Sequence, residues 1–174
     1  MAYNANIHQR RSIRLKGYDY GQEGAYFVTL CTKNRAHLFG EVEGGEMKLN
    51  QFGMIASQEW AKTPEVRMNV VLDVFIIMPN HLHGILFITE SKTEARHDDV
   101  TPFLSPSQTV GAIVRGYKSA VTKQINALLP EAEKMTVWQR NYHEHIIRNA
   151  RAHQYISAYI SNNPTRWKAD RFFS

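Results

Sequence analysis

Two histidines, His81 and His83, stand one residue apart at the head of the apolar run His81-Leu82-His83-Gly84-Ile85-Leu86-Phe87-Ile88. In an extended chain alternate side chains leave on opposite faces, so both imidazoles project from one face while Leu82, Gly84, Leu86 and Ile88 take the other. That pair is a two-point grip for a cation, and equally it can be the polar end of a hairpin. Much later in the chain Tyr159 and Asn163 lie four residues apart in a helical pattern, one turn, and so share a face. A tyrosine hydroxyl becomes a nucleophile when a cation polarises its electrophile, and an amide oxygen is an acceptable ligand for a hard or borderline cation. Two imidazoles, that amide oxygen and several waters would make an open octahedral site suited to Mg²⁺ or Mn²⁺, with positions left for phosphate oxygens. The plainer reading of the same residues makes Tyr155 and Tyr159 half-buried aromatics and Asn163 the cap of a helix C-terminus.

Other catalytic templates fit poorly. The glycines are scattered rather than gathered into a phosphate-binding loop, and no Gly-x-Ser-x-Gly stretch joins a strand to a helix. Cys31 is the single cysteine, so neither a disulfide framework nor a cysteine-rich zinc site can form. His143 and His145 flank Glu144 and would form a second metal pair only if extended; as part of a hydrogen-bonded core cluster they need no metal, and His143 is read that way.

The elements that must position these groups follow from periodicity. Ala25 to Thr32 is an aromatic and β-branched strand, and Lys33-Asn34-Arg35 its polar exit. Gly44-Gly45 sits between two short alternating pieces from Phe39 to Leu49, a small hairpin or irregular turn. Asn50 caps a helix running to about Lys62 and ended by Pro64. Val70 to Met78 is apolar apart from Asp73, the pattern of a strand covered on both faces, and Pro79-Asn80 turns it back into the histidine strand. Residues 90–108 are charged, rich in Ser and Thr, and read as a loop. Thr109 to Leu129 has helical spacing, with Arg115, Lys118 and Lys123 on its polar face, which on most helices is only a solvated surface. Asn149 caps a last helix from about Ala150 to Asn163, ended by Pro164 before a basic tail, 165–174.

At 174 residues and 43% hydrophobic composition, one domain spanning 1–174 with its own core is expected. A formal net charge of +5 points to a polyanion, nucleic acid before an anionic membrane. The segment Ile7 to Tyr20 interleaves Arg10, Arg11, Arg14 and Lys16 with Tyr18 and Tyr20, which suits phosphate contact and base stacking as well as a merely solvated arm. With no apolar leader and no apolar run of roughly 20 residues, a soluble, cytoplasmic protein with no membrane partner is expected.

Four ordered blocks carry a family resemblance: Met78-Pro79-Asn80-His81-Leu82-His83-Gly84, Val114-Arg115-Gly116-Tyr117-Lys118-Ser119, Trp138-Gln139-Arg140-Asn141-Tyr142-His143-Glu144-His145-Ile146-Ile147-Arg148-Asn149, and Tyr159-Ile160-Ser161-Asn162-Asn163-Pro164. Together, over about Arg10 to Trp167, they resemble the single-tyrosine HUH transposases, and within them the REP-associated tyrosine transposases. The resemblance implies an α+β fold with a ferredoxin-like, RRM-like antiparallel sheet, helices on one face and a C-terminal helix that carries the tyrosine to the histidines. It implies a metal-dependent enzyme that cuts and rejoins single-stranded DNA beside hairpins through a 5′-phosphotyrosine, leaving a free 3′-OH. Carried over, His81, His83 and Asn163 are ligands of Mg²⁺ or Mn²⁺, Tyr159 is the nucleophile, and Gln139, Glu144 and His145 support the site. Arg10, Arg11, Arg14, Lys16, Arg115, Lys118, Arg140 and Arg148 are the expected DNA contacts, in a nucleoid-associated protein. Tyr155 and Tyr117 are additional tyrosines; Tyr117 reads as core, and Tyr155 would compete as nucleophile only if the last helix were rotated. A non-catalytic hairpin-binding protein and a hydrolase using water stay open as alternatives, as does a homodimer.

Overall fold

The computed structural model describes residues 23–89 and 109–173. The basic arm with Arg10, Arg11, Arg14 and Lys16, and the 90–108 segment, lie outside the described residues.

Strand β1, Gly24–Cys31, is followed by a single 3₁₀ turn at Lys33–Arg35 and by the hairpin strands β2, Gly40–Glu43, and β3, Glu46–Leu49. Gly44 and Gly45 turn that hairpin with φ of +59° and +83°, the left-handed region a side chain disfavours. Asn50 caps helix α1, Gln51–Ala61, its Oδ1 accepting from the Gly53 N–H at 2.9 Å. Pro64 does not simply stop the chain's helical course. It sits in the first turn of a second short helix, α2, Thr63–Val66, where its missing N–H has no intrahelical partner to lose. Strands β4, Val70–Met78, and β5, His81–Ile88, flank the Pro79-Asn80 turn; helix α3, Val110–Ala127, strand β6, His143–Ile147, and helix α4, Ala150–Ser161, complete the order, and Pro164–Ala169 is 3₁₀. Thr109 and Asn149 cap α3 and α4 through their side-chain oxygens.

The sheet runs β4-β5-β1-β6, antiparallel throughout. With α1 and α3 in the two crossovers, this is the βαββαβ order of a ferredoxin-like α+β fold, the class the resemblance implied. Helices α1 and α3 bury one sheet face, joining Tyr26, Val28, Leu30, Leu82 and Leu86 to Trp60, Ile113, Tyr117 and Val121. Gly84 belongs to that face because a Cβ there would meet the Trp60 ring at 2.9 Å, so the strand is bare where the indole lies on it. Helix α4 takes the other face, where Ile160 packs with Phe27, Ile85 and Ile147.

Strand β4 is apolar apart from Asp73 and gives residues to the cores on both sheet faces, yet it is an edge strand, and Val71 stands half exposed. A bulge between Leu72 and Phe75 inserts one extra residue against β5 and exchanges the faces: Leu72, Phe75 and Ile77 point to the α1/α3 side, Val74 and Ile76 to α4. Asp73, the polar interruption in the run, lies at this bulge and its Oδ2 meets His153 Nε2 of α4 at 2.6 Å.

Candidate active site

His81 and His83 leave β5 on the α4 side and are fully buried, their rings 4.4 Å apart. Each has its Nδ1 held by an oxygen: Asn80 Oδ1 lies 2.8 Å from His81 Nδ1, and Thr29 Oγ1, from the strand paired to β5, lies 2.8 Å from His83 Nδ1. Such partners fix ring orientation and leave both Nε2 atoms turned to the interior of the site. Burial lowers the pKa of His81 to about 4 and that of His83 well below the ordinary imidazole value, so both rings are neutral near pH 7 and carry lone pairs.

The cap at Asn149 starts α4 in a register that carries Tyr159 and Asn163 inward. The Tyr159 hydroxyl lies 3.1 Å from His83 Nε2, while Asn163 is 2% exposed at the junction of α4 and the 3₁₀ turn. Two further atoms there are buried without a hydrogen-bond partner among the described residues: His81 Nε2 and Asn163 Oδ1. Orphaned buried acceptors carry a desolvation penalty unless something binds them, and a nitrogen and an amide oxygen are both ligands for a divalent cation. The residues therefore fit a metal held by His81, His83 and Asn163. Among the described residues no group of three or more His, Cys, Asp or Glu side chains is arranged to hold a metal; this set differs because its third donor is an amide.

The tail contributes two residues that the sequence did not single out. Asp170 Oδ2 accepts from the Tyr159 hydroxyl at 3.2 Å and from Asn163 Nδ2 at 2.9 Å, tying nucleophile candidate and amide together. Burial first, and then the Asp170 charge, raise the Tyr159 pKa to about 12. Phe172, 7% exposed, lays its ring 4.6 Å from that of His81, with its carbonyl accepting from Asn80 Nδ2 at 2.8 Å. Arg35 and Arg171 flank that ring at 5.4 Å and 4.7 Å. The basic tail is thus folded: Trp167 is buried against His81, and residues 170–172 close over the histidines.

The remaining candidates scatter. Glu144 is on the opposite sheet face, its Oε2 accepting from the Tyr142 hydroxyl, and Gln139 is exposed with its carbonyl accepting from Lys118 Nζ at 2.8 Å. Lys118 also donates to Asn141 O at 3.1 Å, and burial lowers its pKa to about 8; its ammonium holds the 139–141 loop. Arg115 is exposed on α3, across the sheet from the histidines, and Arg140 and Arg148 are exposed near the two ends of β6. His145 shares the histidine face of β6 with His143. His143 is not the hydrogen-bonded core residue expected: its Nδ1 has no partner among the described residues, because β6 is extended and turns it toward the gap beside α4 rather than into the α1/α3 core. Tyr117 is core, donating to Ala56 O, and Tyr155 is 76% exposed one turn before Tyr159.

Thr29 could have been found from strand pairing with His83, and Asn80 from its place in the histidine motif. Asp170 and Phe172 carry no local signal, since only the tertiary fold returns the tail to β5.

No family model matches the chain. A solved structure of a REP-associated tyrosine transposase bound to a REP hairpin superposes with a TM-score of 0.59 at 20% identity, covering 90% of this chain and 74% of that one, a likeness of fold. An uncharacterized protein of Haemophilus influenzae strain KW20 is 44% identical over 178 residues, 98% of this chain and 97% of its own length. The chain shares its fold with the REP-associated transposase and belongs to one family with the Haemophilus influenzae protein.

Proposed function

We propose that this protein is a metal-dependent transposase of single-stranded DNA that cuts and rejoins strands beside hairpins, with Tyr159 as nucleophile. The observation that carries the reading is the Tyr159 hydroxyl at 3.1 Å from His83 Nε2, beside His81 Nε2 and Asn163 Oδ1, which have no partner among the described residues. Binding a strand needs no such combination.

Mg²⁺ or Mn²⁺ held by His81, His83 and Asn163 would supply Lewis-acid polarisation of the scissile phosphate and neutralise charge on its oxygens. The chain's own groups do the rest. Tyr159 Oη forms the bond to phosphorus, and the bond from phosphorus to the 3′-oxygen breaks. The tyrosine proton passes to Asp170, whose Oδ2 already accepts it, and the departing 3′-oxygen takes up a proton as a 3′-OH. A phenol whose pKa is pushed to about 12 needs such an acceptor. The 5′-phosphotyrosine conserves the phosphodiester bond, so a 3′-OH rejoins it by reversal without a nucleotide triphosphate. The Phe172 ring lies on His81, so it must swing aside before a phosphate reaches the histidines, with Asp170 staying at the Tyr159 hydroxyl.

That closed tail also favours the second reading, a hairpin-binding protein without catalysis. One experiment separates the two: a labelled strand bearing a hairpin is incubated with Mg²⁺ or Mn²⁺ and the wild type, Tyr159→Phe or Tyr155→Phe. A denaturation-resistant protein–DNA adduct formed by the wild type and Tyr155→Phe and absent in Tyr159→Phe is expected. Binding without any adduct establishes the second reading, and cutting that survives in Tyr159→Phe assigns the attack to water.

A further inference from the structure

Helix α4 lies mainly across β4 and reaches β5 less, so it covers only part of the sheet face that bears the histidines. Between α4 and β6 a trough of about 470 Å³ opens directly beside Tyr159, within the size range of small-ligand sites, about 300–1,000 Å³. Its floor is the sheet: Phe27 from β1, and His143 and His145 from β6, where Phe27 pairs with His145 in register. Its α4 wall is apolar at Ile156 and includes Tyr155, a residue 76% exposed, and Arg171 brings a cation to the rim.

This composition is specific in what it would hold. Exposure of one tyrosine is ordinary, since Met68 and Val66 are also largely exposed; what distinguishes Tyr155 is that it borders a trough floored by Phe27, His143 and His145. Flat rings on a sheet face, with a cation at the edge, suit a planar heterocycle attached to a phosphate chain, the way single-stranded nucleic acid is stacked without sequence readout. Tyr155 also lines a second opening of about 490 Å³, which shares Tyr155 and Tyr159 with the trough and is lined besides by Asn163, Arg166 and Asp170. The two openings put Tyr155 astride a path that passes Tyr159.

We infer that the trough between β6 and α4 binds an unpaired DNA base next to the scissile phosphate, stacked between Tyr155 and the Phe27–His145 floor. The inference rests on the single-strand reading proposed above and adds to it how the phosphate is brought to Tyr159: one neighbouring base is parked, which fixes the backbone. Tyr155 and His145 are positioning residues in this arrangement, and both are exposed, so their replacement leaves the core intact.

The test measures anisotropy of a fluorescent oligothymidylate and of a strand with the same backbone built from abasic tetrahydrofuran units, on the full chain carrying Tyr159→Phe. Tyr155→Ala and His145→Ala should each weaken oligothymidylate binding about five- to a hundredfold and leave the abasic strand unaffected, with Tyr155→Phe restoring affinity. Unchanged oligothymidylate binding in both alanine variants, equal losses on the two strands, or a parent protein that binds neither overturns the base site. The adduct assay on the parent chain with Tyr159 intact is scored separately. Adduct formation with no base-dependent loss sinks the trough alone, whereas base-dependent loss without any adduct sinks strand cutting and leaves the trough standing.

Discussion

The two faces of one sheet are built for different ends. On the α1/α3 face the residues of β5 and β1 are Leu82, Leu86, Tyr26, Val28 and Leu30, closed by Trp60, Ile113 and Val121 into an apolar core. On the α4 face the same two strands carry His81, His83, Thr29 and Phe27, and the helix above them leaves a trough open. Residues adjacent in sequence thus sit in opposite environments. On the first face the polar atoms without a partner among the described residues are the indole N–H groups of Trp60 and Trp138, donors that cannot bind a cation, while the Tyr117 hydroxyl donates to Ala56 O; on the second they include His81 Nε2 and Asn163 Oδ1, a nitrogen and an amide oxygen able to ligate one. The difference teaches that stability is concentrated on one side of β5 and chemistry on the other, with only a single Cα step between them.

The comparison breaks most sharply at Tyr159. Tyr159→Phe should lower covalent adduct formation at least about a thousandfold, with denaturant stability changed little, and Tyr155→Phe should stay near wild type; adduct yield on a denaturing gel checks both. The mirror experiment is on the other face. Trp60→Ala should destabilise by about 3–5 kcal/mol, and Gly84→Ala by about 1–3 kcal/mol because its Cβ would press on the indole; chemical denaturation reads both. A Trp60→Ala protein that loses adduct formation while still fully folded would show that the faces are not separable.

Acid should sharpen the contrast. In the unfolded chain His81 titrates near 6.5, while in the folded chain burial keeps it neutral until about pH 4. Between those values the unfolded state binds more protons, so stability is full above about pH 6.5 and declines as pH falls toward 4. His81 should contribute on the order of 3 kcal/mol to that decline, with His83 adding in the same direction. Denaturation midpoints across that range for wild type and His81→Gln measure it, the variant showing the shallower decline.

Smaller effects test what covers the chemical face. Phe172→Ala should raise the rate of adduct formation about tenfold, because the competent open form no longer competes with the ring seated on His81. A slower variant would make Phe172 part of the substrate site instead of its cover. His153→Ala should cost about 1 kcal/mol or less, since the Asp73–His153 contact is a third exposed on each side, and thermal unfolding reads it. A larger loss of adduct than of stability there would show that this contact sets the placement of α4.

Much of the frame was legible before any coordinates. Alternation placed His81 and His83 on one face, Asn50 and Asn149 announced their helices, the spacing of Thr109 to Leu129 announced a third, and Pro79-Asn80 turned β4 into β5 because a proline and an amide favour that bend. The single-residue bulge at Asp73 was not legible, since an apolar run reads the same with its faces exchanged. Nor was the extended course of His143 to Ile147, whose polar, titratable residues suit a strand only because β1 lies beside them.

The sequence by itself determined the local matters: which residues are capable of chemistry, that two imidazoles share a strand face, and that Tyr159 and Asn163 share a helix face. Those depend on backbone period alone, 2 for a strand and 3.6 for a helix. Only the tertiary structure decided that the two faces meet, that Thr29 and Asn80 hold the rings, that Gln139 and Glu144 lie elsewhere, and that Asp170 and Phe172 come back from the tail to close on His81-Leu82-His83. These contacts join residues as far apart as Asn80 and Phe172. The physical reason is that spacing along a chain fixes direction only within one element, whereas packing of separate elements is set by the summed burial of all their faces.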